Sequence, residues 1–106
     1  MSEYIVILVT TPNINEAEKI VNTLLEEKMI ACANIISGLK SKFWWKNKIE
    51  ETEETLIIIK TEKRLFNEIN EKIKQLHSYT VPEIIAIPIV YGNKAYLEWI
   101  SECLKG

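Results

Sequence analysis

An α+β fold in the order β-α-β-β-α-β, closed by one further helix, is predicted by three observations. Three stretches are apolar at nearly every position: Ile5-Val6-Ile7-Leu8-Val9, Leu56-Ile57-Ile58-Ile59, and Ile84-Ile85-Ala86-Ile87 with Ile89 and Val90. Side chains alternate across a strand, so these are strands that need cover on both faces. Between them lie two segments with apolar residues three and four apart, the spacing of a helix that buries one side. A long strand-like segment also folds back on itself at Lys46-Asn47. Two main helices are too few to cover both faces of a sheet, so part of the cover is expected from another copy of the chain.

The elements follow in order. Residues 3–10 read as a strand, broken by Thr11-Pro12-Asn13. Asn13 or Asn15 can cap a helix over 14–28, with Glu16 and Glu18 in its first turn, where the helix dipole favours acids. Ala17, Ile20, Val21, Leu24 and Lys28 share one face, which makes this helix amphipathic. Residues 29–45 read as a long strand in which Gly38 marks a bulge, and 48–61 as its return. With Lys46-Asn47 as the two turn residues, Lys42 faces Glu51, Ser41 faces Thr52 and Lys40 faces Glu53; a three-residue turn with Asn47 left-handed is the alternative. Each arm is then on the order of 45 Å long. Thr61 can cap a helix whose stripe is Leu65, Ile69, Ile73 and Leu76. The last strand runs over 83–91; it holds Pro88, which cannot donate to a ladder, so it belongs at an edge. Tyr96, Leu97, Ile100 and Leu104 mark the final helix. This is the split βαβ, or ferredoxin-like, pattern, with an antiparallel sheet and both main helices on one face. A projecting hairpin with Phe43, Trp44 and Trp45 at its tip is poorly suited to water and reads as an arm that wraps a neighbour.

Composition narrows the chemistry. The 106 residues make one domain, and a hydrophobic content of 47% is that of an ordinary globular chain. Net charge is −2, with no basic field to hold a nucleic acid. Every acid is Glu, so Ser-His-Asp triads and Asp-built Mg²⁺ or EF-hand sites are excluded. Arg64 is the single Arg, which argues against an Arg-built phosphate clamp. Cys32 and Cys103 lie far apart in sequence, with no CxxC pattern for a zinc site. The start, Met-Ser-Glu-Tyr, has no basic leader, and no apolar run reaches the roughly 18 residues of a membrane span. A reducing cytoplasm is the expected location.

Several segments in succession carry a resemblance: Ala31-Cys32-Ala33-Asn34-Ile35, Phe43-Trp44-Trp45-Lys46-Asn47-Lys48-Ile49-Glu50, Glu54-Thr55-Leu56-Ile57-Ile58-Ile59-Lys60-Thr61, His77-Ser78-Tyr79-Thr80-Val81-Pro82-Glu83 with the apolar run after it, and Tyr96-Leu97-Glu98-Trp99. Together they resemble the CutA family, the divalent-cation tolerance proteins, over nearly the whole chain. The resemblance implies a ferredoxin-like subunit, a tight homotrimer, a cytoplasmic location and a role in metal tolerance. It also implies kinship with PII-type trimers, which bind small ligands between subunits. This chain departs from the family in having Asn47 where Gly is common at the turn and Ser78 where Pro is common after the His. Some relatives associated with copper carry a Cys near the end of the first strand and a second His; here these positions are Val9 and Leu76.

The candidate site residues each have a structural alternative. His77, the single imidazole, is a candidate ligand for copper or another divalent cation, or a helix C-terminal His engaging the last carbonyls. Cys32 can take Cu(I) as a thiolate, or pack as a small hydrophobe. The acidic run Glu50, Glu51, Glu53 and Glu54 can bind hard cations weakly, or pair with lysines on a solvated strand. In an assembled trimer, Trp45, Glu50, Lys60, Tyr79 and Glu83 can line an intersubunit cleft for a small ligand, or form an interface hydrogen-bond network. Two functions are therefore expected: cation binding or sensing without turnover, or a PII-like small-molecule sensor. An acylphosphatase would need an Arg in the loop after the first strand, and RRM-type RNA binding would need aromatics on the central strands, where residues 56–59 are aliphatic.

Overall fold

The computed structural model describes residues 3–106; the Met-Ser of the expected leader-free start lies outside them. The elements are β1 (Tyr4–Thr11), α1 (Ile14–Glu26), β2 (Cys32–Trp45), β3 (Lys48–Glu62), a 3-10 turn (Lys63–Leu65), α2 (Phe66–Leu76), β4 (Ile84–Pro88) and α3 (Lys94–Cys103). The four strands form one antiparallel sheet in the order β2-β3-β1-β4. This is the expected α+β, split βαβ architecture, with the proline-bearing strand at an edge.

Register divides the sheet into two faces. On one face Ile5, Ile7 and Val9 of β1 meet Ile57 and Ile59 of β3, and α1 and α2 cover them with Ala17, Ile20, Leu24, Ile69 and Ile73. Ile7, Ile20, Leu24, Ile57, Ile59, Ile69 and Ile73 are fully buried, and each such side chain contributes roughly 1.5–3 kcal/mol as an upper figure. The other face carries Tyr4, Val6, Leu8, Leu56, Ile58 and Lys60, with Ile85 and Ile87 on β4 about half exposed. Here α3 touches one end: Ser101 Oγ donates to Glu62 and accepts from the Tyr4 hydroxyl at 2.7 Å. The rest of that face has no helix over it.

Local chemistry sets most boundaries. Asn13 caps α1 by accepting from the Glu16 N–H at 2.8 Å, and Asn93 caps α3 in the same way through Tyr96. α1 stops at Glu26, two residues before the expected end, and Lys28 takes a φ of 56°. The following Met29, Ile30 and Ala31 are buried but precede the strand, which starts at Cys32 instead of residue 29. Ala31 N–H already donates to the Lys60 carbonyl at 3.0 Å. Gly38 sits at a φ of 78° within a register break between Ile36 and Leu39, the expected bulge. Lys46 and Asn47 have φ of 50° and 65°, and Lys42 faces Glu51, Ser41 faces Thr52, and Lys40 faces Glu53. Two successive residues with positive φ are the mark of a type I′ hairpin turn.

Two expectations are corrected. Thr61 does not cap α2. It is still within β3, and its buried hydroxyl donates to the Met29 carbonyl at 2.7 Å, tying the linker to the sheet. The chain enters α2 through the 3-10 turn instead. β4 spans Ile84–Pro88 and not 83–91, because Pro88 has no N–H; one further bond, from Ile89 N–H to the Tyr4 carbonyl, closes it. At the far end Lys105 N–H donates to the Lys28 carbonyl, and Arg64 donates to the carbonyl of Lys105.

Candidate functional site

The densest polar lattice lies where β1 ends. Thr11 Oγ1 donates to the Asn13 carbonyl at 2.8 Å, which fixes the turn into α1 and sets Glu16 in its first turn. α2 ends at Leu76, and the His77 N–H closes it by donating to the Ile73 carbonyl. The His77 ring is fully buried. Its Nδ1 accepts from the Tyr79 backbone N–H at 3.0 Å. A backbone amide can only donate, so the proton is on Nε2, which donates to the Thr10 carbonyl at 2.7 Å. Neither nitrogen then has a free lone pair for a metal. The ring also serves a strand carbonyl sixty-seven residues away and not the last carbonyls of its own helix.

Around this ring the lattice spreads to three elements. Glu16 Oε2 lies 3.3 Å from His77 Nδ1 and accepts from the Ser78 N–H and hydroxyl at 2.9 and 3.1 Å. The Tyr79 hydroxyl donates to Glu54 Oε2 at 2.9 Å, and its ring sits 4.9 Å from that of His77. Burial, then the hydrogen bond and charge of Glu54 and the charge of Glu16, push the Tyr79 phenol up to about 12. Glu54 is 8% exposed, so this member of the acidic run is a buried acceptor and not a solvated cation ligand. Beside it is a cleft of about 250 Å³ lined by Asn13, Ser37, Gly38, Glu53, Glu54 and Thr55.

Cys32 is at the opposite end of the sheet. It faces Lys60, which faces Val6 of β1, whereas His77 touches Thr10; the two candidate metal ligands are not brought together. Cys32 Sγ is 3.5 Å from the Tyr96 hydroxyl oxygen, and that contact, then burial and the charges of Cys32 and Cys103, raise the Tyr96 phenol. Lys60 donates to Asn34 Oδ1. Trp45 and Glu50 are exposed at the hairpin tip, where Lys46 Nζ lies 5.7 Å from the Trp45 ring centre, and Glu83 is exposed just before β4. Within one chain, Trp45, Glu50, Lys60, Tyr79 and Glu83 are thus dispersed among the tip, the sheet and the loop. Among the described residues no three His, Cys or Glu side chains are grouped to hold a metal ion. No helix there is long and apolar enough to cross a membrane.

Sequence reasoning did not pick out Glu16, Thr10 or Glu54 as partners of this lattice. The one available signal was that Glu54 opens a segment of family-like residues.

These features define a split βαβ subunit with a long hairpin, an aliphatic open face and a buried polar knot at the strand ends. The chain belongs to the CutA1 divalent ion tolerance protein family, whose model matches residues 5–103. It is similar to the divalent-cation tolerance protein CutA of Archaeoglobus fulgidus, 46% identical over 93% of this chain and 96% of the relative. It is 43% identical to the protein of the same name from Thermus thermophilus, over 92% of this chain and 94% of that one. The solved structure of the Thermus protein superimposes with a TM-score of 0.94, covering 96% of this chain and 99% of the other. A CutA1 structure from Oryza sativa gives 0.95 at 39% identity, over 98% and 95% of the two chains.

Proposed function

We propose that this protein serves in divalent metal tolerance, copper above all, as a cytoplasmic homotrimer that binds or senses the cation without turnover. Relatives named for divalent-cation tolerance support the metal role. The observation that carries the assembly is the uncovered apolar surface. Ile36, Ile85 and Ile87 are about half exposed on the sheet, and Trp44, Trp45 and Ile49 are 73%, 59% and 68% exposed at the tip. Such a patch marks an interaction surface, and self-association hides it.

The same geometry bears on how a cation is held. One chain offers no grouped ligands among its described residues, and the His77 ring has both nitrogens engaged. Cation binding is therefore a property of the assembled faces and of modest affinity. Sedimentation followed by isothermal titration with Cu²⁺ tests the reading. A trimer that binds Cu²⁺ supports it. A stable monomer at micromolar concentration overturns the assembly, and a trimer that gives no heat with Cu²⁺ or other divalent cations overturns the metal role.

A further inference from the structure

Two acceptors face one another in the polar knot at the end of β1. His77 Nδ1 has one lone pair, and the Tyr79 backbone N–H takes it at 3.0 Å. Glu16 Oε2 lies 3.3 Å from the same nitrogen. The ring's proton is on Nε2, held by the Thr10 carbonyl, so none lies between Nδ1 and the carboxylate. Glu16 is nonetheless fixed there, because the Ser78 N–H and hydroxyl both donate to that same oxygen. The His77 side chain has no solvent exposure and that of Glu16 is mostly buried, so salt and water screen the contact little. Among the described residues, the titratable groups set against the ring are Glu16 from α1 and Tyr79 from the loop, with Glu54 of β3 bonded to the Tyr79 hydroxyl. β1 contributes the neutral Thr10 carbonyl. α2 contributes its carbonyl end, which favours a cation, while Lys74 in its last turn pairs with Glu71.

We propose that His77 and Glu16 form a proton-operated latch on the loop 77–83. A proton taken from water adds to Nδ1, while Nε2 keeps its own proton and its bond to Thr10. An N–H cannot donate to a nitrogen that carries a proton, so the Tyr79 amide is released. The new Nδ1–H donates to Glu16, an acceptor already in position and of opposite charge. The neutral ring therefore holds the loop, and the charged ring holds α1 instead. Through the Tyr79 hydroxyl the loop is also tied to Glu54, so the protonation state of one ring reaches the hairpin strand. Every part of the latch lies within one chain, and it works in any state of assembly.

His77 is the single imidazole of the chain, so its ring nitrogens are identified at once in a nitrogen NMR spectrum of the isotope-labelled full chain. At about pH 8 Nδ1 reads as a bare acceptor and Nε2 as protonated; toward about pH 5 both read as protonated. The protection factor of the Tyr79 amide against hydrogen exchange falls at least about tenfold in step with the ring, the worth of one hydrogen bond. Glu16→Gln keeps an acceptor for Ser78 and removes the charge; it makes the ring at least about tenfold harder to protonate. If that variant does not fold, the wild-type pairing of ring and amide decides alone. A ring that stays neutral down to about pH 5, or one with its proton on Nδ1 at about pH 8, overturns the proposal. So does a Tyr79 amide whose protection ignores the charge on the ring, or a ring that protonates equally well in Glu16→Gln.

Discussion

The Tyr79 hydroxyl donates to Glu54 Oε2 at 2.9 Å, joining the loop before β4 to the hairpin strand twenty-five residues earlier. Glu54 is 8% exposed, so this donor is what makes its burial tolerable. Tyr79→Phe removes the donor and leaves the carboxylate in place. We expect a loss of about 1–3 kcal/mol in urea unfolding, with the fold retained by circular dichroism.

The same phenol gives a pH signature. It ionises at 10 in the unfolded chain and at about 12 in the fold. Between these values the unfolded chain has lost a proton that the fold still holds, so stability falls as pH rises. The contribution is complete below 10 and gone above about 12. Unfolding measured across this window should fall less steeply in Tyr79→Phe than in wild type; parallel curves would refute the assignment.

An opposite signature belongs to Glu62. Burial raises its carboxyl, but hydrogen bonds from Ser101 and Arg64 and the Arg64 charge outweigh burial and leave it below 4.5. Its contribution is therefore present above 4.5 and is lost as pH falls below that. Glu62→Gln should flatten the acid limb of the stability profile, as judged by unfolding at pH 3 to 6 on the order of one unit apart.

His77→Ala removes the ring's bonds to the Thr10 carbonyl and the Tyr79 N–H. We expect about 2–4 kcal/mol of destabilisation. Because both ring nitrogens are engaged in the fold, Cu²⁺ affinity of the folded variant should match wild type in isothermal titration. A drop of tenfold or more would show that the ring turns out to meet the metal.

At the hairpin, Asn47 tolerates its φ of 65° because its short amide side chain suits the left-handed region. Asn47→Ala should cost about 1 kcal/mol and Asn47→Gly close to nothing, read from denaturation midpoints.

Much of this architecture was legible because it depends on neighbours in sequence. The turn at Lys46-Asn47 followed from charge matching across the arms, the bulge from Gly38, the edge from Pro88, and the first cap from Asn13. Thr61 was misjudged because a Thr before a helix reads as a cap whether or not its strand continues; only the fold brings the Met29 carbonyl to its hydroxyl. The polar knot was unreadable for the same reason. His77 and Thr10, or Ser78 and Glu16, are more than sixty residues apart, and no periodicity links them. Trp45, Glu50, Lys60, Tyr79 and Glu83 were named as a set for a cleft between copies; within one chain they are dispersed among the tip, the sheet and the loop.

The two free borders of the sheet are unequal. β2 offers fourteen residues interrupted at Gly38, whereas β4 offers five and stops at a residue with no amide hydrogen. Open-ended fibre growth needs a long, flat template that each newcomer extends. Here the shorter border gives little purchase and the longer one is kinked, a geometry that disfavours runaway polymerisation in a chain this rich in isoleucine.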